Sequence, residues 1–337
     1  MNLTEEHQEE SCVHSNFSCL RTSTTATDLL LYFSVAVVVT LTVCGNLLVI
    51  ISICHFKQLQ TPTNFLLLSL ALADFLVGVI VMPLYFNMLI NSQRCFGTLY
   101  CIIFHVAAFF LTFVSIYNVA LIAVDRWFSI YNPFHYSMKL TVIVTFRLIA
   151  TLWLVSLIYN LVLLYFNGKL IDVKENIKCG ECIITVTETW AIVDTLIVFV
   201  LPCLTIMIMY LKIFSVAKIH AKKILCVQKC TKVNNGSKTS ERKAAKAIGV
   251  LVSVFLLCLV PSYICAFLEA YISNRAMRIA VSNMLSLIYL NSAVNPIIYA
   301  LFYPWFQRAV KLILSYRVFS EGSSVFNVLA TKEIPVH

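Results

Sequence analysis

Residues 95–124 read CFGTLYCIIFHVAAFFLTFVSIYNVALIAV, a run without one Asp, Glu, Lys or Arg, and Asp125-Arg126-Trp127 follow at once. As an α-helix at ~1.5 Å per residue the run reaches roughly 45 Å, and about 20 mostly apolar residues suffice to cross a bilayer. Six other stretches share this character. Residues 29–53, 148–168, 247–268 and 279–307 are uncharged, while 63–93 and 189–211 carry one charge each, Asp74 and Asp194. Backbone groups in lipid must satisfy one another, so all seven are read as helices. Pro83, Pro202, Pro261, Pro296 and Gly249 are tolerable kinks there.

Composition points the same way. Of 337 residues, 60% are hydrophobic and 12% charged, with a mean hydropathy of +0.87. Soluble domains carry roughly a quarter charged residues. This excludes a soluble enzyme, a nucleic-acid-binding protein and a disordered chain, despite the net charge of +9. The expected fold is an all-α membrane protein, a seven-transmembrane helix bundle with a short amphipathic eighth helix. The chain divides into a tail (1–28), the bundle (29–303), the amphipathic helix (304–315) and a second tail (316–337).

Lys and Arg placement sets the orientation. Most of the 25 basic residues fall in 53–63, 125–147, 212–246 and beyond 307, which makes that side cytoplasmic and the N-terminus extracellular. Asn2-Leu-Thr4 and Asn16-Phe-Ser18 are glycosylation sequons on the outer side; Asn235-Gly-Ser237 also matches but lies inside. The first ten residues are polar and acidic, so the first span is expected to act as its own insertion signal. Residues 212–246 form the one long cytoplasmic loop, with helical ends and a flexible Asn234-Asn235-Gly236-Ser237 centre. The stretch 305–314 alternates apolar and basic residues at helical spacing, as a helix on the inner leaflet does, and no cysteine follows it to carry an acyl anchor. Cys12, Cys19, Cys95, Cys101, Cys179 and Cys182 lie outside or at the outer rim, where disulfides persist; six cysteines allow 15 pairings.

The short motifs narrow the class. Gly45-Asn46 in the first span, Leu70-Ala71-Leu72-Ala73-Asp74 in the second and Asp125-Arg126-Trp127 closing the third resemble the rhodopsin-like G-protein-coupled receptors. Trp153, Pro202 with Tyr210, Pro261 and Asn295-Pro296-Ile297-Ile298-Tyr299 continue the pattern in order. The seventh-span stretch 291–306, Glu241-Arg242-Lys243-Ala244-Ala245-Lys246 before the sixth, and Cys179-Gly-Glu-Cys182 are similar to trace amine-associated receptors. The resemblance implies olfactory detection of an extracellular amine and a stimulatory, cAMP-raising heterotrimeric G protein as partner. It also implies a place in the plasma membrane of olfactory sensory neuron cilia. It implies bridges Cys101–Cys182 and Cys19–Cys179, with Cys12 and Cys95 able to form a third.

Amine receptors place an aspartate eighteen residues before the Arg of the Asp-Arg motif; here Ala108 stands there. A buried cation without a counter-charge costs several kcal/mol. Asp194, eight residues before Pro202, is the replacement, a pattern that resembles the divergent fish-type branch. An ionisable residue inside a span is by default functional. The competing role for Asp194 is a structural pair with His105. Aromatic faces attract ammonium groups, and Phe109, Trp190, Tyr263 and Tyr289 are the candidates, with Thr112 as a hydrogen-bonding group near Ala108.

Asp74 is expected to hold an allosteric sodium ion in the inactive state, with Asn46, Ser115, Asn291 and Asn295 matching the receptor sodium pocket. No other cofactor is expected. Inside, Arg126 can pair with Asp125 and Glu241, then meet Tyr210, Tyr299 and the G protein once the sixth span swings outward. Leu259 occupies the usual toggle-tryptophan position, so Phe255 is the expected moving core residue; Trp127 replaces the usual Tyr with mild effect. No nucleophile–base pair or metal cluster is placed for enzymatic chemistry. The alternatives are a rhodopsin-like receptor for a non-amine ligand, and a seven-helix channel or transporter using Asp74 and Asp194 as an ion path.

Overall fold

The computed structural model describes residues 26–90, 98–166, 187–228, 236–272, 275–315, 323–325 and 328–329. Seven helices among them are long and apolar enough to cross a membrane: Leu29–His55, Pro62–Ile90, Leu99–Tyr131, Val142–Phe166, Thr189–Val216, Gly249–Glu269 and Asn283–Phe302. They fall on the seven expected stretches, and the described residues contain no strand. The chain is a multi-pass, all-α membrane protein.

Capping chemistry moves several boundaries. The second span starts at Pro62, whose missing N–H costs nothing in a first turn, and Thr61 caps it by accepting from the Asn64 amide at 3.4 Å. Pro133 opens a short loop helix, Pro133–Lys139, capped by Asn132 accepting from the His135 amide at 3.3 Å. The seventh span stops at Phe302, inside the uncharged run that reaches Gln307. Pro304 pushes Tyr303 out of helical geometry (φ −109°, ψ 102°) and begins the helix Pro304–Leu314. Both arms of the long cytoplasmic loop are helical, to Gln228 and from Gly236. Gly236 and Ser237 thus belong to a helix instead of a flexible centre, and 229–235 lie outside the described residues.

Burial ranks the spans. Two-thirds of the second span's apolar window is buried (67%) and half of the third's, against 28% or less for the first, fourth, fifth and sixth. The second and third are therefore the hub, and the others turn apolar faces outward to lipid. One continuous core joins Leu70, Ile116, Ile206, Phe255, Leu259 and Tyr299; a second, toward the outer end, joins Met82, Tyr85, Phe104, Ala108, Leu111 and Tyr289. Trp153 of the fourth span donates to the Ser69 hydroxyl at 3.0 Å. Two spans contain a π-helical wide turn, Val77–Val81 and Thr195–Val200, which changes the phase of the residues beyond it.

The Pro304–Leu314 helix buries Phe306, Ala309 and Leu312, one face at three-residue spacing; Ala309 and Leu312 pack with Phe56 and Leu59, and Phe306 joins the main core. Val328 of the tail, wholly buried, completes this cluster, and Arg308 donates to its carbonyl at 3.3 Å. His55 Nε2 lies 3.0 Å from the Ser323 hydroxyl.

The first and seventh spans meet at Gly45, where an added Cβ would sit 2.8 Å and 2.9 Å from the Pro296 ring carbons. A pyrrolidine ring cannot rotate away. Gly45→Ala should destabilise the protein by about 1–3 kcal/mol, the usual cost of overpacking, and lower both surface expression and the melting temperature of purified protein.

Candidate ligand pocket and signalling core

Asp194 is the last residue before the Thr195–Val200 wide turn, and Tyr159 of the fourth span donates its hydroxyl proton to Asp194 Oδ1 at 3.0 Å. Tyr117 of the third span donates to the Ile197 carbonyl, inside that turn, at 2.7 Å. A regular helix does not describe the path from Asp194 to Pro202, so the eight-residue offset does not give the rotation of the carboxylate. Tyr263 stacks on Phe199 of the wide turn with ring centres 4.6 Å apart and planes 8° apart. His105, the alternative partner, instead engages the Cys101 carbonyl through Nδ1 at 3.0 Å.

Ala108 is buried among Phe104, Leu111 and Tyr289, an apolar third-span wall. Tyr289 packs edge-on to Tyr85 at 4.9 Å, and Tyr85 shares a 3.1 Å hydrogen bond with Ser286. Phe109 lies 6.1 Å from the His105 ring. Trp190 stacks on Phe166 at 5.7 Å, so one face of its indole is already covered by the end of the fourth span. Thr112 lines a cavity of about 10 Å³, room for about one water, with Ser115, Phe255, Leu259, Asn291 and Ser292.

Two residues of that cavity's wall, Ser115 and Ser292, also bond the buried carboxylate of Asp74. Its Oδ1 accepts from Ser292 at 2.7 Å and from Ser115 at 3.5 Å, and its Oδ2 accepts from Asn295 Nδ2 at 2.7 Å. The partner at the shorter distance on Oδ1 is Ser292, which the resemblance does not imply; Asn291, which it does, lines the cavity. Ser292 and Asn295, three residues apart, share a helical face. Asn46 donates to the Thr42 and Ser292 carbonyls at 2.9 Å and 3.0 Å, leaving its buried Oδ1 without a partner. Asn46 therefore sits one step from Asp74, through the Ser292 backbone.

At the end of the bundle that carries the loop helix, Asp125 is bonded on three sides. Arg126 reaches its Oδ2 at 2.7 Å and 3.0 Å, Thr63 donates to the same oxygen at 2.8 Å, and Tyr136 of the loop helix donates to Oδ1 at 2.8 Å. Arg126 also donates to the Thr63 hydroxyl. Burial, the largest cause, raises the Tyr136 hydroxyl above its ordinary pKa, Asp125 adds to the rise, and it stays a donor at neutral pH. The Tyr210 hydroxyl packs on Gly249 of the sixth span. Tyr299 is buried with its hydroxyl unpaired, and Phe255 is buried beside Leu259 in the main core. Lys212 places its ammonium 4.9 Å from the Trp127 ring centre, and Trp127 stacks on Tyr131 at 5.3 Å.

Residues 45–299 match the family described as 7 transmembrane receptor (rhodopsin family). The chain is 38% identical over 322 residues to Trace amine-associated receptor 13c of Danio rerio, covering 93% of this chain and 94% of that one. It is 37% identical to Trace amine-associated receptor 7f of Mus musculus over 97% of this chain and 92% of that one. Trace amine-associated receptor 7a of Rattus norvegicus gives 38% over the same shares. The chain belongs to the trace amine-associated receptor family.

This receptor is accordingly not an enzyme; its partners are a small-molecule ligand and a G protein. Cys101 is disulfide-bonded. Its expected partner Cys182, with Cys12, Cys19, Cys95, Cys179 and the sequon residues Asn2 and Asn16, lies outside the described residues, as does the Glu241 side chain. Sequence reasoning missed Tyr159, Ser292, Thr63 and Tyr136. Ser292 alone had a signal, its three-residue offset from Asn295; the others join helices whose relative rotation no spacing encodes. In a Tyr136→Phe receptor Asp125 loses one of its bonds, and agonist-independent G-protein activation should rise severalfold at equal surface expression, measured by a G-protein dissociation sensor.

Proposed function

We propose that this receptor binds an extracellular amine through Asp194 and couples it to a stimulatory G protein, raising cAMP, as an olfactory receptor of sensory cilia with its N-terminus outside. The observation that carries this reading is the pairing of Asp194. It has one neutral partner, Tyr159, and no ion pair among the described residues, so a negative charge faces the outer bundle uncompensated. A ligand ammonium supplies what is missing. Tyr263 with Phe199 and Tyr289 are aromatic surface for its hydrocarbon or methyl groups, and Phe109 and Thr112 line the route past Ala108. Trp190 is the weakest of the proposed contacts because Phe166 covers it. The trace amines in the relatives' names support the ligand class.

Asp74 fits a sodium ion as an allosteric ligand in the resting state. A carboxylate flanked by the hydroxyls of Ser115 and Ser292 and the amide of Asn295, with Asn291 on the wall of the adjoining water-sized cavity, is an oxygen set suited to a hard cation. The orphan Oδ1 of Asn46 is a further oxygen close by. Bound there, sodium would supply positive charge that steadies the second, third and seventh spans. At the other end Asp125 holds Arg126 at rest, with Glu241 as a further partner. Agonist binding shifts Phe255 and the sixth span, and Arg126 then reaches Tyr210, Tyr299 and the G protein.

A cAMP reporter with butylamine, 1,4-diaminobutane, spermidine and 2-phenylethylamine tests the ligand reading. Asp194→Asn should weaken every amine response by about 100-fold or more, the roughly 3 kcal/mol cost of stranding a buried charge. A retained response favours the alternative suggested by Ala108, a receptor for a non-amine ligand. Replacing NaCl by KCl should raise agonist affinity in the wild type, and Asp74→Asn should abolish that difference; an unchanged sodium effect in the variant overturns the ion site.

A further inference from the structure

We infer that Tyr159 is a positioning residue: its hydroxyl holds the Asp194 carboxylate in the orientation that receives the ligand. The inference rests on the reading of Asp194 as the ammonium partner.

The geometry isolates this contact. Asp194 Oδ1 takes the Tyr159 hydroxyl at 3.0 Å, its one hydrogen bond among the described residues, which leaves Oδ2 for an incoming N–H. Asp194 also stands at the edge of the wide turn Thr195–Val200, where the regular helical hydrogen-bond pattern is interrupted. A short carboxylate at such a place has several rotamers open to it, and a fixed donor selects one. The donor is itself fixed. The Tyr159 ring lies 5.2 Å from Phe113, and Phe113 stacks on Tyr117 at 4.5 Å with planes 9° apart. Tyr117 then ties the wide turn down through the Ile197 carbonyl at 2.7 Å.

One aromatic ladder, Tyr159–Phe113–Tyr117, therefore holds both the acid and the segment that carries it, at points three residues apart. Ordering a binding group before the ligand arrives removes that cost from the binding step. A phenylalanine would fill the same space against Phe113, so the hydroxyl is the part with a role.

The test uses the full-length receptor and the four amines named above. Tyr159→Phe should move the amine concentration–response curve about tenfold to higher concentration, the scale of one hydrogen bond to a charged group. Surface expression, maximal response and the ligand-free melting temperature should stay at wild-type values, while amine-induced thermal stabilisation of purified receptor shrinks. Tyr165→Phe, on the same span but exposed toward lipid, should change none of these. A Tyr159→Phe curve within twofold of wild type overturns the inference. So does a lower ligand-free melting temperature with an unmoved curve, which marks packing alone. If Asp194→Asn silences amines while Tyr159→Phe does not shift them, the Asp194 reading stands and this inference falls. If Asp194→Asn responds normally, both fall.

Discussion

A carboxylate in the middle of a lipid-embedded bundle has no water to solvate it, so the protein must supply every hydrogen bond itself. Asp74 meets that demand by drawing one donor from the third span and two from the seventh. The arrangement fixes the rotation of three helices about a common point. It also accounts for the close approach of the neighbouring spans, because Asn46 reaches the Ser292 carbonyl only where Gly45 lets the first span lie against Pro296. Small side chain and buried acid are parts of one packing solution.

The same centre links outside to inside. The cavity beside Asp74 touches Thr112 on the ligand side and Phe255 and Leu259 on the sixth span. Where relatives of the rhodopsin class carry an indole, Leu259 is smaller, and the space next to it is open by about one water. Phe255 is packed in the core that also contains Tyr299. Tyr299 keeps an unsatisfied buried hydroxyl, a free-energy cost of about 1–3 kcal/mol that any rearrangement offering it a partner would relieve. Arg126 is held by Thr63 of the second span and the adjacent Asp125, and Tyr136 of the loop helix in turn bonds Asp125.

The bundle was legible in the sequence because a bilayer imposes a length and a polarity that the seven stretches meet and little else does. Motif positions such as Asp74, Asn295 and Arg126 fell where their neighbours in the chain placed them. Contacts between spans were not legible. Tyr159 meets Asp194 across two helices, and Tyr136 meets Asp125 through a loop, so each depends on how helices rotate against one another. Ser292, which shares the cavity wall with Asn291, was not named, although its three-residue offset from Asn295 marks the face. The break between the seventh span and the next helix has a local cause, the effect of Pro304 on Tyr303.

The wide turn at Thr195–Val200 lets the fifth span fit one extra residue between its acid and its proline. Deleting one residue there would leave the facing of the upper half as it is, whereas restoring a regular helix with the residue count unchanged would swivel it by roughly 100°, one residue's advance. The negative charge would then look toward a different neighbour with its chemistry untouched. A substitution within Thr195–Val200 that straightens the turn therefore redirects Asp194 without replacing it.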